Sequence, residues 1–173
     1  FTLGKTTVCH DNEEVLLQGE KGTKTRLTHH AFGQVATMVG APANYLRSLP
    51  ASLAATNLAH GFAHYEKQTE PVMGLFHKNG NLICRCVTST QYQRIWNWEI
   101  IERLMPLAES GWTVPKSMTD HLMPSGLYAS DHDMFAFMVD ENHRIDDGSN
   151  GGLARGFFAI NSEVGQSAFK ILT

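Results

Sequence analysis

The chain has 173 residues, of which 42% are hydrophobic and 18% are charged, and its formal net charge is −3. These values are typical of a globular protein, and the length suits one domain with a sizeable core. No apolar run reaches the roughly 18 residues that a membrane-spanning helix needs, so we expect a soluble protein without a membrane segment. The acidic balance argues against a dedicated duplex-DNA binder, because neutralised phosphates supply most of the affinity of such proteins.

Three cysteines, Cys9, Cys84 and Cys86, give an odd number. Cys84 and Cys86 are separated by one residue in a predicted strand, so both side chains lie on one face, too far apart along the strand for an ordinary disulfide. The pattern indicates a reducing, intracellular setting and therefore a cytoplasmic location. Because a Cys-x-Cys spacing without a second pair is a weak zinc signal, small core residues are the favoured interpretation.

Two short strands and then three helices are predicted for the first third of the chain. A turn at 19–22 follows the strands, and apolar residues at helical spacing mark the helices. Gly40 and Pro42 end the first helix, and prolines at both ends delimit the second. The predicted elements lie at 6–9, 15–18, 29–39, 42–50 and 51–65. We expect the helices to pack as one N-terminal layer over about 29–65.

A β-hairpin is the clearest strand signal, because residues 72–77 and 82–88 flank an Asn-Gly turn at 79–80. A long amphipathic helix is predicted next, over about 95–107, with Pro106 distorting its last turn. Its inward-facing residues are expected to be Ile95, Trp98, Ile101, Leu104 and Met105.

Short apolar segments separated by polar turns predict more strands in the last third of the chain. They lie at 112–114, 126–130, 134–139 and 155–160. The segment 141–152 is polar and rich in glycine, so it is predicted to be a loop. The whole pattern favours a single α+β domain, in which the N-terminal helical layer packs on an antiparallel or mixed sheet accompanied by one long helix.

A polar tip follows the apolar strand at 155–160. Asn161, Ser162 and Glu163 precede a glycine there, at a position where polar groups can reach a ligand without unpairing the core backbone. The alternative, which the residue types favour, is that these side chains only satisfy the turn through local hydrogen bonds.

Two aspartates extend this tip to a candidate metal site. Asp131 and Asp133 lie two residues apart, so an extended backbone projects both carboxylates from one face. If Glu163 meets them, the three carboxylates suit Mg²⁺ or Mn²⁺ and phosphoryl chemistry. Solvated loop acids are the alternative and the favoured one, and no cofactor is predicted in that case. The sequence contains no phosphate-binding glycine loop, dinucleotide motif or nucleophile elbow.

Aromatic and basic residues interleave at 91–97, a pattern that single-strand binders use to stack bases and hold phosphates. The predicted nucleic-acid-binding set is Arg85, Tyr92, Arg94, Trp96 and Arg155. The alternative is that Tyr92 belongs to the core and that Arg94 is a solvated residue at a helix start.

Four blocks of sequence, in order along nearly the whole chain, resemble a known family. They are Leu27-Thr28 with Ala31-Phe32-Gly33-Gln34, Pro42-Ala43-Asn44-Tyr45-Leu46 with Leu49-Pro50, Tyr128-Ala129-Ser130-Asp131-His132-Asp133-Met134-Phe135, and Arg155-Gly156-Phe157-Phe158 with Asn161-Ser162-Glu163-Val164-Gly165. The chain is similar to the phage- and plasmid-encoded proteins grouped as domain of unknown function 932. The resemblance implies a mobile-element protein in a bacterial host and further residues beyond Thr173, and it carries over no catalytic residue. Because the chain does not begin with Met, it is also expected to lack its true start.

Three functional hypotheses follow from the residues and from this resemblance. The first is a non-enzymatic protein that binds or anneals single-stranded DNA in replication or recombination and assembles into homo-oligomers. The second is a metal-dependent enzyme that acts on phosphodiesters through Asp131, Asp133 and Glu163. The third is a module that binds a host protein. The first two require the polar tip, the aspartates and the arginines to share one surface.

Overall fold

A computed structural model of the chain describes residues 1–67, 69–79, 81–115, 126–148 and 152–173. The chain divides into two compact units, a first unit of residues Phe1–Tyr92 and a second unit of residues Gln93–Thr173. The assignment of the whole chain to one domain stays a prediction, because a single domain can also contain two compact units.

The first unit combines five strands with three helices. In chain order they are β1 (Thr7–Asp11), β2 (Glu14–Gln18), β3 (Lys24–Leu27), α1 (His29–Met38), α2 (Ala43–Ser48), α3 (Ala51–His64), β4 (Val72–Asn79) and β5 (Asn81–Ser89). The strands form one mixed sheet in the order β1-β2-β3-β5-β4, in which only β3 and β5 run parallel. A parallel pair needs a crossover connection, and the chain from α1 to β4 supplies it.

Helix α1 begins at a side-chain cap that also ties it to the sheet. The Thr28 Oγ1 accepts a hydrogen bond from the Ala31 backbone N–H at 3.2 Å, as an N-cap residue does. The same hydroxyl donates to the Arg85 carbonyl oxygen in β5 at 3.0 Å. Gly40, with a φ of 70°, follows the helix end, where a left-handed residue is common. The helices predicted at 29–39, 42–50 and 51–65 are confirmed as α1, α2 and α3.

The first-unit core lies between the helices and the sheet. Val35 and Leu58 are fully buried in it, and Cys84 and Cys86 of β5 are buried as well, which confirms their interpretation as small core residues. Burial raises the pKa of the Cys84 thiol to about 12, and the neighbouring Cys86 adds to the rise. The predicted hairpin is confirmed as β4 and β5, although Gly80 of its turn lies outside the described residues.

The second unit places one helix on an antiparallel sheet. Its elements are α4 (Asn97–Glu109), β6 (Trp112–Thr113), β7 (Leu127–Ala129), β8 (Met134–Ile145), β9 (Leu153–Asn161) and β10 (Lys170–Leu172). The strand order is β10-β9-β8-β6, and β7 also pairs with β8. The buried residues Ile100, Met134, Ala136 and Ala159 form the core of this unit.

Helix α4 contacts its core through a narrower stripe than the sequence predicts. Ile101 and Leu104 pack against that core as expected. Ile95, Trp98 and Met105 are 39%, 61% and 54% exposed, so the prediction that they face inward is wrong. The helix starts at Asn97, after Ile95, and a helix with a single packed neighbour buries only one stripe of its side chains.

The predicted fold class is wrong. The structure has about 29% helix and 38% strand, with two sheets and four helices among the described residues, so it is a mixed, sheet-rich fold rather than a helical layer with one long helix. One reason is that the polar segment 141–145, predicted as loop, belongs to strand β8, and its residues 144–145 pair with β9. None of the helices in the described ranges is long and apolar enough to cross a membrane.

Candidate functional site

The predicted polar tip at the end of β9 fixes the start of α4. The buried Asn161 side chain donates through Nδ2 to the Ile95 carbonyl oxygen at 2.9 Å and to the Asn97 Oδ1 at 2.8 Å. The Glu163 carboxylate accepts from the Asn97 backbone N–H at 2.8 Å. A helix start has unpaired N–H groups and favours a negative charge, so Glu163 suits this position.

Ser162 has a comparable structural task. It is buried, its Oγ donates to the His132 carbonyl oxygen at 2.6 Å, and the Gln166 backbone N–H donates to it at 3.0 Å. The hydroxyl therefore joins the turn after β9 to the segment between β7 and β8. For Asn161 and Ser162, the hydrogen bonds agree with the interpretation of polar side chains that satisfy backbone groups.

Arg94 and Trp96 belong to the same cluster. The Arg94 Nε donates to the Glu163 carbonyl oxygen at 2.6 Å, and its guanidinium lies 5.4 Å from the centre of the Trp96 ring. The structure thus brings together four predicted site residues, Arg94, Trp96, Asn161 and Glu163. Their hydrogen bonds to one another, to Ile95 and to Asn97 hold the start of α4 in place.

The three predicted metal ligands do not form a cluster. Asp131 and Asp133 are exposed in the turn between β7 and β8, where the Asp133 Oδ1 accepts from the Ser130 hydroxyl at 2.7 Å. Glu163 binds the start of α4. Within the described residues, no group of three or more His, Cys, Asp or Glu side chains is placed to hold a metal ion. The metal hypothesis stays a prediction.

Arg155 lies at the other end of β9 from the polar tip. It is six residues from Asn161, and a strand rises about 3.3 Å per residue, so the two are roughly 20 Å apart. Its guanidinium lies 5.6 Å from the centre of the Trp112 ring and donates from Nε and Nη2 to the Asp140 Oδ2 at 2.9 and 2.6 Å. Arg155 and Arg94 therefore do not share one binding surface.

The two remaining residues of the predicted nucleic-acid-binding set lie in the first unit. Arg85 is half-buried in β5, on the face of that strand opposite Cys84 and Cys86. Tyr92 is half-buried after β5, and its backbone N–H donates to the Ser89 carbonyl oxygen at 3.2 Å. Neither residue belongs to the cavity described next.

An apolar cavity in the first unit was not predicted. It has a volume of about 360 Å³ and lies between the three helices and the strands β2, β3 and β5. Its apolar lining includes Phe32, Leu46, Leu49, Ala54 and Ile83. Cavities of this size, apolar with a few polar groups, are where proteins bind small molecules or single chemical groups.

Two acidic residues, Glu13 and Glu14, also line this cavity. Three basic residues line it as well, and we call Arg26, His29 and Arg47 its cationic rim. The Arg47 guanidinium lies 5.2 Å from the centre of the Phe32 ring and donates from Nη2 to the His29 carbonyl oxygen at 2.7 Å. Arg26 forms an ion pair with Glu14 on the neighbouring strand, and both side chains are 49% exposed. Arg47 is thus fixed by several contacts, whereas Arg26 has only an exposed ion pair.

The rim could not be predicted from spacing. Arg26 in β3 and His29 at the start of α1 are three residues apart, but Arg47 comes from α2, eighteen residues after His29. The one local signal is Arg47 itself, a cation inside a proline-bounded apolar segment.

The charge of the chain is divided unevenly between the units. Residues 1–92 contain 8 Lys and Arg against 6 Asp and Glu, a balance of +2, whereas residues 93–173 contain 6 against 11, a balance of −5. The cavity and its cationic rim are therefore in the unit that would attract an anionic polymer.

Comparison of the chain with protein-family models, with curated proteins and with solved structures finds no match. The resemblance to domain of unknown function 932 therefore stays a prediction.

Proposed function

We propose that the first unit binds a single nucleic-acid strand, with an unpaired base in the cavity and the flanking phosphates on the cationic rim. The observation that carries this proposal is the apolar cavity of about 360 Å³ whose lining includes Arg26 and Arg47. Single-strand binders combine such cations with apolar and aromatic contacts to the bases.

The rim has the chemistry that phosphates require. Arginine binds phosphate oxygens through two parallel N–H groups, and its charge is permanent. The ion pair between Arg26 and Glu14 is exposed, and pairs of this kind are worth about 0–1 kcal/mol, so a phosphate can replace Glu14 at little cost. Phe32 contributes an aromatic side chain to the same cavity.

The balance of charges favours a weak, local interaction over tight binding. Among the described residues that line the cavity, two carry a guanidinium group. A single-strand binder has a log–log salt slope of about −0.7 for each neutralised phosphate. We therefore expect a slope of about −1.4 and a roughly sevenfold loss of affinity between about 50 and 200 mM salt. A duplex should bind less well, because its bases are already stacked and paired.

Fluorescence anisotropy with a short labelled single-stranded oligonucleotide tests the proposal. Arg26→Gln should halve the salt slope and weaken binding. Lys5→Gln is the matched control, because Lys5 also forms an exposed ion pair, with Glu20, and does not line the cavity. Absence of saturable binding by the wild-type protein at low salt would overturn the proposal, and so would an equal loss in both variants.

A second pair of variants tests the cavity itself. Val15 is half-buried in β2 and lines the cavity, so Val15→Trp should fill it and reduce the affinity for the oligonucleotide. Leu53→Trp adds the same side chain at an exposed position of α3 that does not line the cavity. If Val15→Trp binds as tightly as Leu53→Trp, the base does not enter the cavity.

A further inference from the structure

The second unit contains a side-chain cluster that the proposed function does not use. It lies where β8 departs from regular pairing with β9. Val139 pairs with Gly156 and Arg144 pairs with Ala154, so residues 140–143 stand opposite Arg155 alone. A bulge of this kind turns side chains away from their regular directions, and bulges are frequent next to active sites.

The bulge gathers two ionisable side chains and one backbone N–H around one buried carboxylate. Asp140 is 2% exposed and accepts the two hydrogen bonds from Arg155. It also accepts from the His143 Nδ1, which lies 2.9 Å from Oδ2 and 3.1 Å from Oδ1, and from the Asn142 backbone N–H at 3.2 Å. The negative charge is therefore fully paired inside the protein.

Asp140 is held in its ionised form. Burial of the carboxyl raises its pKa, but the hydrogen bonds from Arg155 and His143 and their charges outweigh burial, so the pKa lies below its ordinary value. An ionised carboxylate can only accept hydrogen bonds, so the proton on the imidazole is at Nδ1. The other ring nitrogen of His143, Nε2, is left for an external partner.

The His143 imidazole and the Arg155 guanidinium present their outer edges to solvent. The side chains of His143 and Arg155 are 72% and 64% exposed, although the carboxylate they share is buried. Within the described residues, no hydrogen bond reaches the His143 Nε2 or the Arg155 Nη1. Trp112 lies beneath the guanidinium and limits its movement. Two exposed nitrogen groups are thus held by one buried carboxylate.

We propose that His143 and Arg155 form a binding site for a phosphoryl group. Arg155 would donate from its free guanidinium edge to two phosphate oxygens. The His143 Nε2, which is an acceptor while the proton is on Nδ1, would accept a hydrogen bond from the hydroxyl of a hydrogen phosphate group. Asp140 acts as the positioning residue that orients both groups. This site is independent of the proposed strand binding, since its residues all belong to the second unit and the cavity belongs to the first.

Neighbouring charged residues have partners of their own, so Arg155 and His143 are the residues that we assign to this site. Glu141 is neutralised by Arg144, whose Nε and Nη2 donate to its carboxylate at 2.8 and 2.6 Å. The Asp146 carboxylate accepts from the Gly148 backbone N–H at 2.9 Å. Arg144 therefore provides a matched control, because it is an exposed arginine of the same strand with a carboxylate partner of its own.

Titration of the full chain with inorganic phosphate at constant ionic strength, followed by the imidazole NMR signals of His143, tests the proposal. The signals should shift and saturate with phosphate but not with chloride. Isothermal titration calorimetry should show that Arg155→Gln weakens phosphate binding at least about tenfold, because the variant loses two charge-assisted hydrogen bonds. Arg144→Gln should leave the dissociation constant unchanged.

A second variant and a second ligand complete the phosphate-binding test. Arg155→Gln leaves Asp140 with one partner fewer and can impair folding, so His143→Asn provides a second variant that retains a donor toward Asp140 and should also weaken binding. Adenosine monophosphate, with adenosine as its control, distinguishes a phosphate ester from free phosphate as the preferred ligand. Unchanged His143 signals with both phosphate and adenosine monophosphate would overturn the proposal, as would equal weakening by Arg144→Gln.

Discussion

The side-chain amide of Asn161 donates to the Ile95 carbonyl oxygen at 2.9 Å and thereby joins the last residue of β9 to the approach to α4. The same amide group also reaches the Asn97 side chain at 2.8 Å. A single buried residue thus connects two segments that are more than sixty residues apart in the chain.

Asn161→Ala should destabilise the protein by about 1–3 kcal/mol, because it removes two buried hydrogen bonds and leaves the Ile95 carbonyl oxygen without this partner. Urea denaturation followed by circular dichroism measures the change. Asn57→Ala is the control, since Asn57 is exposed on α3 and its change should stay within about 0.5 kcal/mol. Equal effects of the two substitutions would contradict the anchoring role of Asn161.

Gly111→Ala should disturb the bulge of β8 through its contact with Asn142. Gly111 has a φ of 99°, and an added Cβ would collide with the Asn142 side-chain amide. We expect a loss of about 1–3 kcal/mol in unfolding free energy from the strained backbone alone, and an additional change in the His143 NMR signals as Asn142 moves. Gly19→Ala is the control, because a Cβ there meets no atom within 4 Å. A stable Gly111→Ala variant with unchanged His143 signals would argue against this close packing.

Acid should weaken the contribution of Asp140 to stability. Its folded-state pKa lies below its ordinary value, so its stabilising contribution is fully present above the unfolded-state pKa of about 3.9 and is lost as the pH falls through the folded-state pKa. The difference in urea midpoint between wild type and Asp140→Asn should therefore shrink as the pH is lowered from neutral toward about 3. A difference that stays constant or grows would show that the folded-state pKa is not lowered.

The thiols should differ sharply in reactivity. Cys84 and Cys86 are buried, whereas Cys9 is half-buried in β1. With a pKa of about 12, only about one Cys84 in ten thousand is ionised at pH 8, and the thiolate is the reactive form. Ellman's reagent should therefore label one thiol quickly in the native protein and three in denaturant, and Cys9→Ser should remove the fast phase. Rapid labelling of two or three thiols in the native state would contradict the burial of the Cys-x-Cys pair.

The sequence predicted those elements whose signals are local. The hairpin of β4 and β5 follows from alternation around an Asn-Gly pair, and α1 follows from a threonine cap and a terminal glycine. The position of Trp98 was wrongly predicted, because an apolar residue at helical spacing faces inward only if a neighbour covers it. Whether Trp98 is buried therefore depends on tertiary packing, which local spacing does not specify.

The sites were less predictable than the elements. Four predicted site residues do lie together, namely Arg94, Trp96, Asn161 and Glu163, but their contacts hold the start of α4. Residue types alone cannot distinguish this structural role from ligand binding. The cavity between α1, α2, α3 and the sheet arises from helices whose packing distance no local pattern specifies. Asp140 and His143 lie at the edge of a polar stretch that resembles a loop, and the pairing across the bulge that unites them with Arg155 depends on the register of β9.

The extra residues of β8 at 140–143 allow this segment to gain or lose residues, which a regular strand cannot do without a shift in register. A regular strand that gains or loses one residue inverts the faces of everything beyond the change. Here the mismatch at 140–143 is already absorbed between two paired stretches, 134–139 and 144–145. Related chains could therefore differ in the length and chemistry of this segment while residues 144–145 stay aligned with β9. The ligand specificity of the segment could then change without a change of fold.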